Sequence, residues 1–178
     1  MKFTQSWLNE HLDFYADRNI IEKELTNLGL EVEKVDSMNE SLKNMYVCEI
    51  LNAEKHPNAD RLKVCEVTTG VKNFKVVCGA SNAVKGLISV FAPNGSYIPG
   101  SMFKLEKKSI RGIEGDGMLC SEKELGLLSK TDGIIELDNK YKVGDCFKNY
   151  IEDDYLYEIA LTPNRGDCAS IRGIARDL

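Results

Sequence analysis

Short segments with strand character, separated by turn residues, dominate the middle of this 178-residue chain. They either alternate apolar with polar residues or are rich in β-branched and aromatic residues, as strands are. The segments are 45–51, 62–68, 74–78, 87–91, 103–110 and 134–137. Glycine, proline, asparagine and serine fall between them, and these residues favour chain reversal. So many short strands predict a small barrel or sandwich in this region.

The sharpest reversal lies in residues 56–67, which read HPNADRLKVCEV. Pro57 fixes its own φ, and the side chains of Asn58 and Asp60 can hydrogen-bond the neighbouring backbone. An alternating strand follows directly, with Leu62 and Val64 on one face. We expect His56 to be an exposed turn residue, because no partner for base catalysis can be named for it.

Residues 121–126, SEKELG, predict a short helix after the strands. Ser121 is a suitable N-cap, Glu124 lies three residues later, and Gly126 stands where a helix ends. Five strands closed by a short helix form the OB-fold pattern. We therefore predict a five-stranded OB-fold β-barrel for the middle of the chain.

The two flanks mix helix with strand. Ser6 can cap a short helix that runs to Leu12. Helical spacing of apolar residues from Asp17 to Gly29 predicts a second helix, with Gly29 at its left-handed end. The remaining predictions for the flanks are strands over 30–35 and 155–160 and a final helix over 171–178.

Charge separates the flanks from the middle. The net charge is −4 over residues 1–39, +2 over 40–151 and −3 over 152–178, within a total of −5. Such a change in composition suggests a domain boundary near each step. We predict an α+β chain in which the barrel, residues 40–151, is inserted into a small discontinuous α/β domain made of 1–39 and 152–178.

Catalytic and metal-binding patterns are missing from the sequence. It contains no G-x-x-x-x-G-K-[ST] loop and no G-x-G-x-x-G after a strand. The six cysteines form no C-x-x-C pair, so we expect no metal site and predict reduced, buried thiols. No apolar run reaches the roughly 20 residues of a membrane span, and no secretory signal is evident. We expect a cytoplasmic protein without membrane partners.

Binding chemistry is concentrated in residues 103–112, FKLEKKSIRG, which we name the basic segment. Its cations would suit phosphate contacts whose strength falls with salt. The candidate RNA-binding residues are Lys104, Lys107, Lys108 and Arg111, with Arg61, Lys63 and Lys123 as further candidates. The alternative is a solvated strand edge that discourages edge pairing. Of the nearby aromatic residues, we expect Phe74, Phe91 and Phe103 in the core and leave Tyr97 open.

Four motifs resemble the tRNA-binding OB domain that is also found in free-standing tRNA-binding proteins and EMAP-like cytokines. They are HPNADRLKVCEV, VVCGASN (76–82), VFAPNGSYIPG (90–100) and IRGIEGDGMLCSEKELGL (110–127). The flanks MKFTQSWLNEHLD and LTPNRGDCASIRGIARDL resemble the bacterial phenylalanyl-tRNA synthetase beta-subunit family. The resemblance therefore covers essentially the whole chain.

This resemblance implies the N-terminal segment of a longer beta subunit. Enzymes of that family use ATP and Mg²⁺ to attach phenylalanine to its tRNA, as assemblies of two alpha and two beta subunits. It implies a non-catalytic segment that binds tRNA, supports assembly and itself binds no cofactor, with no role on DNA. Two alternatives stay open, an OB-fold protein-interaction module and a free-standing tRNA-binding protein.

Overall fold

The computed structural model describes residues 1–127 and 132–178. The strands are β1 Lys2–Thr4, β2 Glu31–Ser37, β3 Tyr46–His56, β4 Ala59–Thr68, β5 Asn73–Cys78, β6 Ile88–Pro93, β7 Tyr97–Ile98, β8 Phe103–Lys104, β9 Ser109–Ile110, β10 Ile113–Glu114, β11 Gly117–Leu119 and β12 Tyr155–Ala160. The helices are α1 Gln5–Asn9, α2 Arg18–Asn27 and α3 Ile171–Asp177, with 3-10 helices at Glu40–Asn44, Phe147–Tyr150 and Pro163–Cys168. The α+β class is confirmed.

The chain divides into two units. The split unit comprises Met1–Glu40 and Glu152–Leu178, and the central unit comprises Ser41–Ile151. In the split unit an antiparallel sheet has the order β1-β12-β2. Helix α2 begins after Asp17, whose carboxylate accepts a hydrogen bond from the Ile20 N–H at 3.0 Å. The chain leaves the helix through Gly29, which has a φ of +75°, as the sequence predicts.

One apolar core holds the split unit together. The rings of Phe3 on β1 and Tyr157 on β12 stack with centroids 5.4 Å apart. Helix α3, capped by Ser170, buries Ile171 and Ile174 in the same core. The predicted helix over 171–178 is therefore confirmed, and its apolar face packs within this unit.

The first helix begins earlier than the sequence suggests. Thr4 is its N-cap and accepts a hydrogen bond from the Trp7 N–H at 3.2 Å. Ser6 instead donates its hydroxyl and its backbone N–H to the carboxylate of Asp154 on the other arm of the split unit. The predicted cap at Ser6 is wrong, because a carboxylate distant in sequence occupies that side chain.

The central unit contains a five-stranded antiparallel sheet with the order β11-β6-β3-β4-β5. Residues 56–60, which we name the HPNAD turn, join its two longest strands, β3 and β4. The outer strands approach each other at one point: the Asp116 N–H donates to the Lys75 carbonyl at 2.8 Å, and the Lys75 N–H donates to the Asp116 carboxylate at 2.9 Å. The predicted five-stranded sheet is confirmed.

The membership of this sheet differs from the prediction. The segment predicted as one strand over 103–110 forms two short strands, β8 and β9, which pair with β7 and β10. The segment 134–137 contributes a single bridge, from Leu137 to Ile88. The fifth strand is β11, where a Cβ on Gly117 would lie 2.2 Å from the Ala92 carbonyl oxygen. Only glycine allows that close approach.

Residues 121–126 form hydrogen-bonded turns rather than the predicted helix. The capping box is present, since the Ser121 N–H donates to the Glu124 carboxylate at 2.7 Å and the Glu124 N–H donates to the Ser121 hydroxyl at 3.3 Å. Gly126, with a φ of +74°, ends the turn after about one helical repeat. The prediction was wrong because the cap signal and the stop signal lie too close together.

Burial of the cysteines agrees with the sequence analysis. Five of the six thiols are buried: Cys48, Cys65, Cys78, Cys120 and Cys168. Burial raises the pKa of Cys48 to about 12 and that of Cys65 to about 11. These thiols therefore stay protonated at neutral pH. Among the described helices, none has the length and apolar character needed to cross a membrane.

Candidate nucleic-acid interface

The first half of the basic segment is fastened to the central unit by its backbone. The Gly95 N–H donates to the Leu105 carbonyl, and the Leu105 N–H donates to the Ser96 carbonyl, both at 2.7 Å. Strand β8 pairs with β7, which places Phe103 opposite Ile98. The Leu105 side chain packs against a buried cluster. The backbone is thus fixed while the charged side chains remain outside.

The second half is held by the HPNAD turn, 54 residues earlier in the chain. His56 is only 4% exposed, which contradicts the expected exposed turn residue. Its Nδ1 accepts from the Asn58 N–H at 3.0 Å, so its Nε2 carries the proton and donates to the Ile110 carbonyl at 3.1 Å. The Asn58 side-chain amide donates to the Arg111 carbonyl at 3.4 Å.

Lys123 reaches the same region through its backbone. The Gly100 N–H, in the turn between β7 and β8, donates to the Glu124 carbonyl at 2.8 Å. A Cβ on Gly100 would lie 1.8 Å from the Lys123 carbonyl oxygen. The turn at 121–126 therefore packs directly against the β7–β8 turn, and Lys123 lies beside it with an exposed side chain.

The cations of the basic segment differ in how far they are engaged. Lys104, Lys108 and Arg111 are exposed, and their side chains form no hydrogen bond or ion pair with any residue in 1–127 or 132–178. Lys107 is paired with Glu114, its Nζ lying 2.8 Å from the carboxylate oxygen. The hydrogen bond to Glu114 raises the pKa of Lys107. Three of the four cations are therefore free to meet phosphate.

The other candidates lie outside the segment. The Lys63 ammonium donates to the Ser81 carbonyl at 2.8 Å and to the Ala83 carbonyl at 2.7 Å, so two of its three donors are engaged inside the unit. Arg61 is exposed near the start of β4. Within the described ranges neither Arg61 nor Lys123 has a side-chain partner.

One face of β3, β4 and β5 carries charges of both signs. Glu54, Glu66 and Lys75 line a shallow cavity of about 260 Å³ on this face. The two carboxylates accept hydrogen bonds from the side-chain amides of Asn52 and Asn73, at 2.9 and 3.0 Å. Fixed carboxylates repel phosphate, so this face is less suited to RNA than the basic segment is.

Two aromatic side chains near the basic segment are exposed. Tyr97 is 47% exposed and Phe103 is 42% exposed, so the expectation that Phe103 belongs to the core is wrong. Phe74 and Phe91 pack against each other with centroids 4.6 Å apart, and Phe91 is fully buried. Phe74 is half-buried, so of these four rings Tyr97 and Phe103 are the most exposed.

One cluster of potential metal ligands occurs among the described residues, in the split unit, and comprises Asp167, Cys168 and Asp177. The Arg176 guanidinium bonds both carboxylates, at 2.6 Å to Asp167 and 2.8 Å to Asp177. These bonds hold the pKa of each carboxyl below its usual range. Arginine already neutralises the cluster, so it is an ion-pair network rather than a cation site.

Comparison with known families bears directly on the central unit. The family described as "Putative tRNA binding domain" matches residues 45–146. The chain belongs to this family. The matched range contains the whole basic segment, the HPNAD turn that holds it and the turn around Lys123. The tRNA-binding domain therefore includes every candidate cation named from the sequence.

Similarity to known proteins extends over the full length of the chain. The chain is 47% identical to the phenylalanine–tRNA ligase beta subunit of Novosphingobium aromaticivorans over 179 residues, and 48% identical to that of Gluconobacter oxydans over 181 residues. Each match covers 100% of this chain and 22% of the relative. The chain thus spans about a fifth of the length of these curated relatives, and the resemblance to the N-terminal part of that subunit is confirmed.

A solved structure also aligns with part of the chain. It is a MetRS-related protein from Pyrococcus horikoshii, with a TM-score of 0.41 and 24% sequence identity. The alignment covers 56% of this chain and 84% of the other.

Proposed function

We propose that this chain binds tRNA through its basic segment, as a non-catalytic part of a phenylalanine–tRNA ligase beta subunit. The observation that carries the proposal is the state of Lys104, Lys108 and Arg111. Their side chains are exposed and unpaired within the described ranges, while hydrogen bonds fix the backbone that bears them. Preorganised cations of this kind suit the phosphate backbone of a folded RNA.

The architecture we propose for this function is an OB-type barrel inserted into a split α/β domain. The two hydrogen bonds between Lys75 and Asp116 join strand β5 to the start of β11, and these strands are the two edges of the sheet. Contact between the edges supports closure of the sheet. The division of the chain into a split unit and a central unit supports the insertion.

The whole enzyme would supply the chemistry that this segment lacks. We propose that it attaches phenylalanine to tRNA in the cytoplasm, using ATP and Mg²⁺ bound elsewhere. Its other partners would be an alpha subunit and a second beta subunit. The names of the relatives, all phenylalanine–tRNA ligase beta subunits, support this setting.

The test removes four cations of the basic segment and measures tRNA affinity at a series of salt concentrations. A variant with Lys104, Lys107, Lys108 and Arg111 all changed to Ala should bind tRNA at least about tenfold more weakly at low salt. The slope of log affinity against log salt should become shallower by about three, since three free cations are removed. A control with Lys2, Lys23, Lys34 and Lys140 changed to Ala loses the same charge elsewhere and should keep the slope. Equal slopes in both variants would contradict the proposal.

Subunit assembly is a second candidate function, favoured by exposed apolar residues in the split unit. Trp7, Phe14, Tyr15 and Ile20 are each at least 45% exposed. These residues lie close together in sequence, on or between helices α1 and α2, and large apolar side chains exposed in one stretch are candidates for protein contacts. The chain should co-elute with the alpha subunit, and changing Trp7 and Tyr15 to Ser should abolish co-elution. Failure of the unmodified chain to co-elute would count against this role.

A further inference from the structure

The β7–β8 hairpin places an aromatic ring beside an unpaired cation. Tyr97 lies directly opposite Lys104, and Ile98 lies directly opposite Phe103. Opposed residues in an antiparallel pair share one face, and successive residues alternate between faces. Ile98 is fully buried, so Tyr97 and Lys104 occupy the face that points to solvent. Their Cβ atoms should lie about 5 Å apart.

Other apolar side chains of the hairpin and of the basic segment are also exposed. Met102, in the turn of the hairpin, is 79% exposed, and Phe103 and Ile110 are also exposed. Met102 adopts a φ of +52°, a left-handed conformation that is uncommon for a non-glycine residue. The hairpin is nevertheless fastened, by the bonds of Gly100 to Glu124 and of Leu105 to Ser96. The solvent-facing side of the hairpin, which carries Tyr97, is therefore both exposed and preorganised.

We propose that Tyr97, on this face, stacks against unpaired nucleobases of the bound RNA while Lys104 meets an adjacent phosphate. This inference rests on the proposed tRNA-binding function and names the part of the RNA that the site takes. A stacked base brings its own phosphate within reach of a neighbouring cation, which matches the arrangement of the pair. Single-stranded loops of folded RNA are where such bases are available.

Charge argues for RNA over a second copy of this chain as the occupant. Tyr97 lies opposite Lys104, and Lys104, Lys108 and Arg111 have no acidic partner within the described ranges. A two-fold contact between copies would bring the same cations of each copy together, and like charges oppose such contacts. A polyanion with exposed rings complements both features of the surface.

The experiment compares Tyr97→Ala with Tyr97→Phe, and uses Met38→Ala in the split unit as a control that removes a large exposed apolar side chain, 54% exposed, elsewhere. Affinity for tRNA is measured at several salt concentrations. Tyr97→Ala should weaken binding about tenfold at every salt concentration, with an unchanged salt slope, because stacking is not a charge effect. Tyr97→Phe keeps the ring and should bind like the unmodified chain, as should Met38→Ala.

A second probe separates failure of this inference from failure of the proposed function. An unpaired oligoadenylate should bind more tightly than an RNA duplex of equal length, and Tyr97→Ala should remove the difference. Binding of tRNA that is insensitive to Tyr97→Ala would overturn the stacking role and leave the proposed function standing. If the chain binds oligoadenylate through Tyr97 but does not bind tRNA, the proposed function is overturned and the stacking role of Tyr97 stands. Concentration-dependent dimers that Tyr97→Ala abolishes would assign the face to a second copy and overturn the inference.

Discussion

The HPNAD turn with the strand after it, and the basic segment, both carry polar side chains but use them in opposite ways. In and after the turn, His56, Asn58 and Lys63 spend their side-chain donors on backbone carbonyls. In the basic segment the backbone is engaged and the side chains of Lys104 and Arg111 are free. The comparison shows that the hydrogen bonds and ion pairs of a cation, more than its presence in a motif, decide whether it can bind a ligand.

Gly100→Ala should have the largest effect, because it displaces the turn of the β7–β8 hairpin from the turn at 121–126 against which it packs. The new Cβ would lie 1.8 Å from the Lys123 carbonyl oxygen, and backbone on both sides would have to move. We expect a loss of about 3 kcal/mol in the free energy of unfolding, measured by urea denaturation. Gly166→Ala is the control, since its Cβ meets nothing within 4 Å. Equal stability of the two variants would show that the hairpin is not seated as described.

His56→Ala should remove the fastening of the second half of the basic segment. It removes a buried side chain and leaves the partly buried Asn58 N–H and Ile110 carbonyl without their partner, at a cost of about 2 kcal/mol in the free energy of unfolding. Binding of tRNA should also weaken, because Arg111 loses the support of the turn. His11→Ala, at an exposed helix-flanking position, is the matched control. Full stability together with full tRNA affinity in His56→Ala would refute the fastening role.

Lys63→Ala should lower mainly the stability of the chain, and Lys104→Ala should lower mainly its affinity for tRNA. Loss of the Lys63 ammonium removes its two hydrogen bonds to carbonyls and should cost about 1–2 kcal/mol in the free energy of unfolding, with tRNA affinity retained below the melting temperature. Lys104→Ala should change stability by less than about 0.5 kcal/mol, because the side chain is exposed, and should weaken tRNA binding several-fold at low salt. The reverse pattern would exchange the two assignments.

Local signals explain what the sequence predicts well. Asp17 and Gly29 bound helix α2 because a cap and a left-handed end act on adjacent backbone. The role of His56 was missed because its partner, the Ile110 carbonyl, lies 54 residues away and no neighbouring residue reports it. Strand β11 was missed for the same reason, since three residues become a strand only against β6. The cations of the basic segment could be named from sequence, but which of them are paired could not.

Glu114→Gln should have the smallest effect. It tests most directly whether an ion pair keeps a cation of the basic segment from binding RNA. Glu114 is the one acidic partner found for the basic segment in the described ranges, and it engages Lys107 at 2.8 Å. Its loss should free that ammonium for phosphate and raise tRNA affinity about twofold at low salt, with a slightly steeper salt slope. The pKa of Lys107, which the hydrogen bond to Glu114 raises, should fall toward its ordinary value, and the side chain stays charged at neutral pH.

Glu106→Gln provides the control for this variant. It removes the same charge from the same segment, and its carboxylate has no partner within residues 1–127 or 132–178. A gain in Glu114→Gln that exceeds the gain in Glu106→Gln measures the release of Lys107 rather than the change in net charge. Equal gains would mean that the ion pair does not restrain Lys107, and that free and paired cations in this segment meet RNA alike.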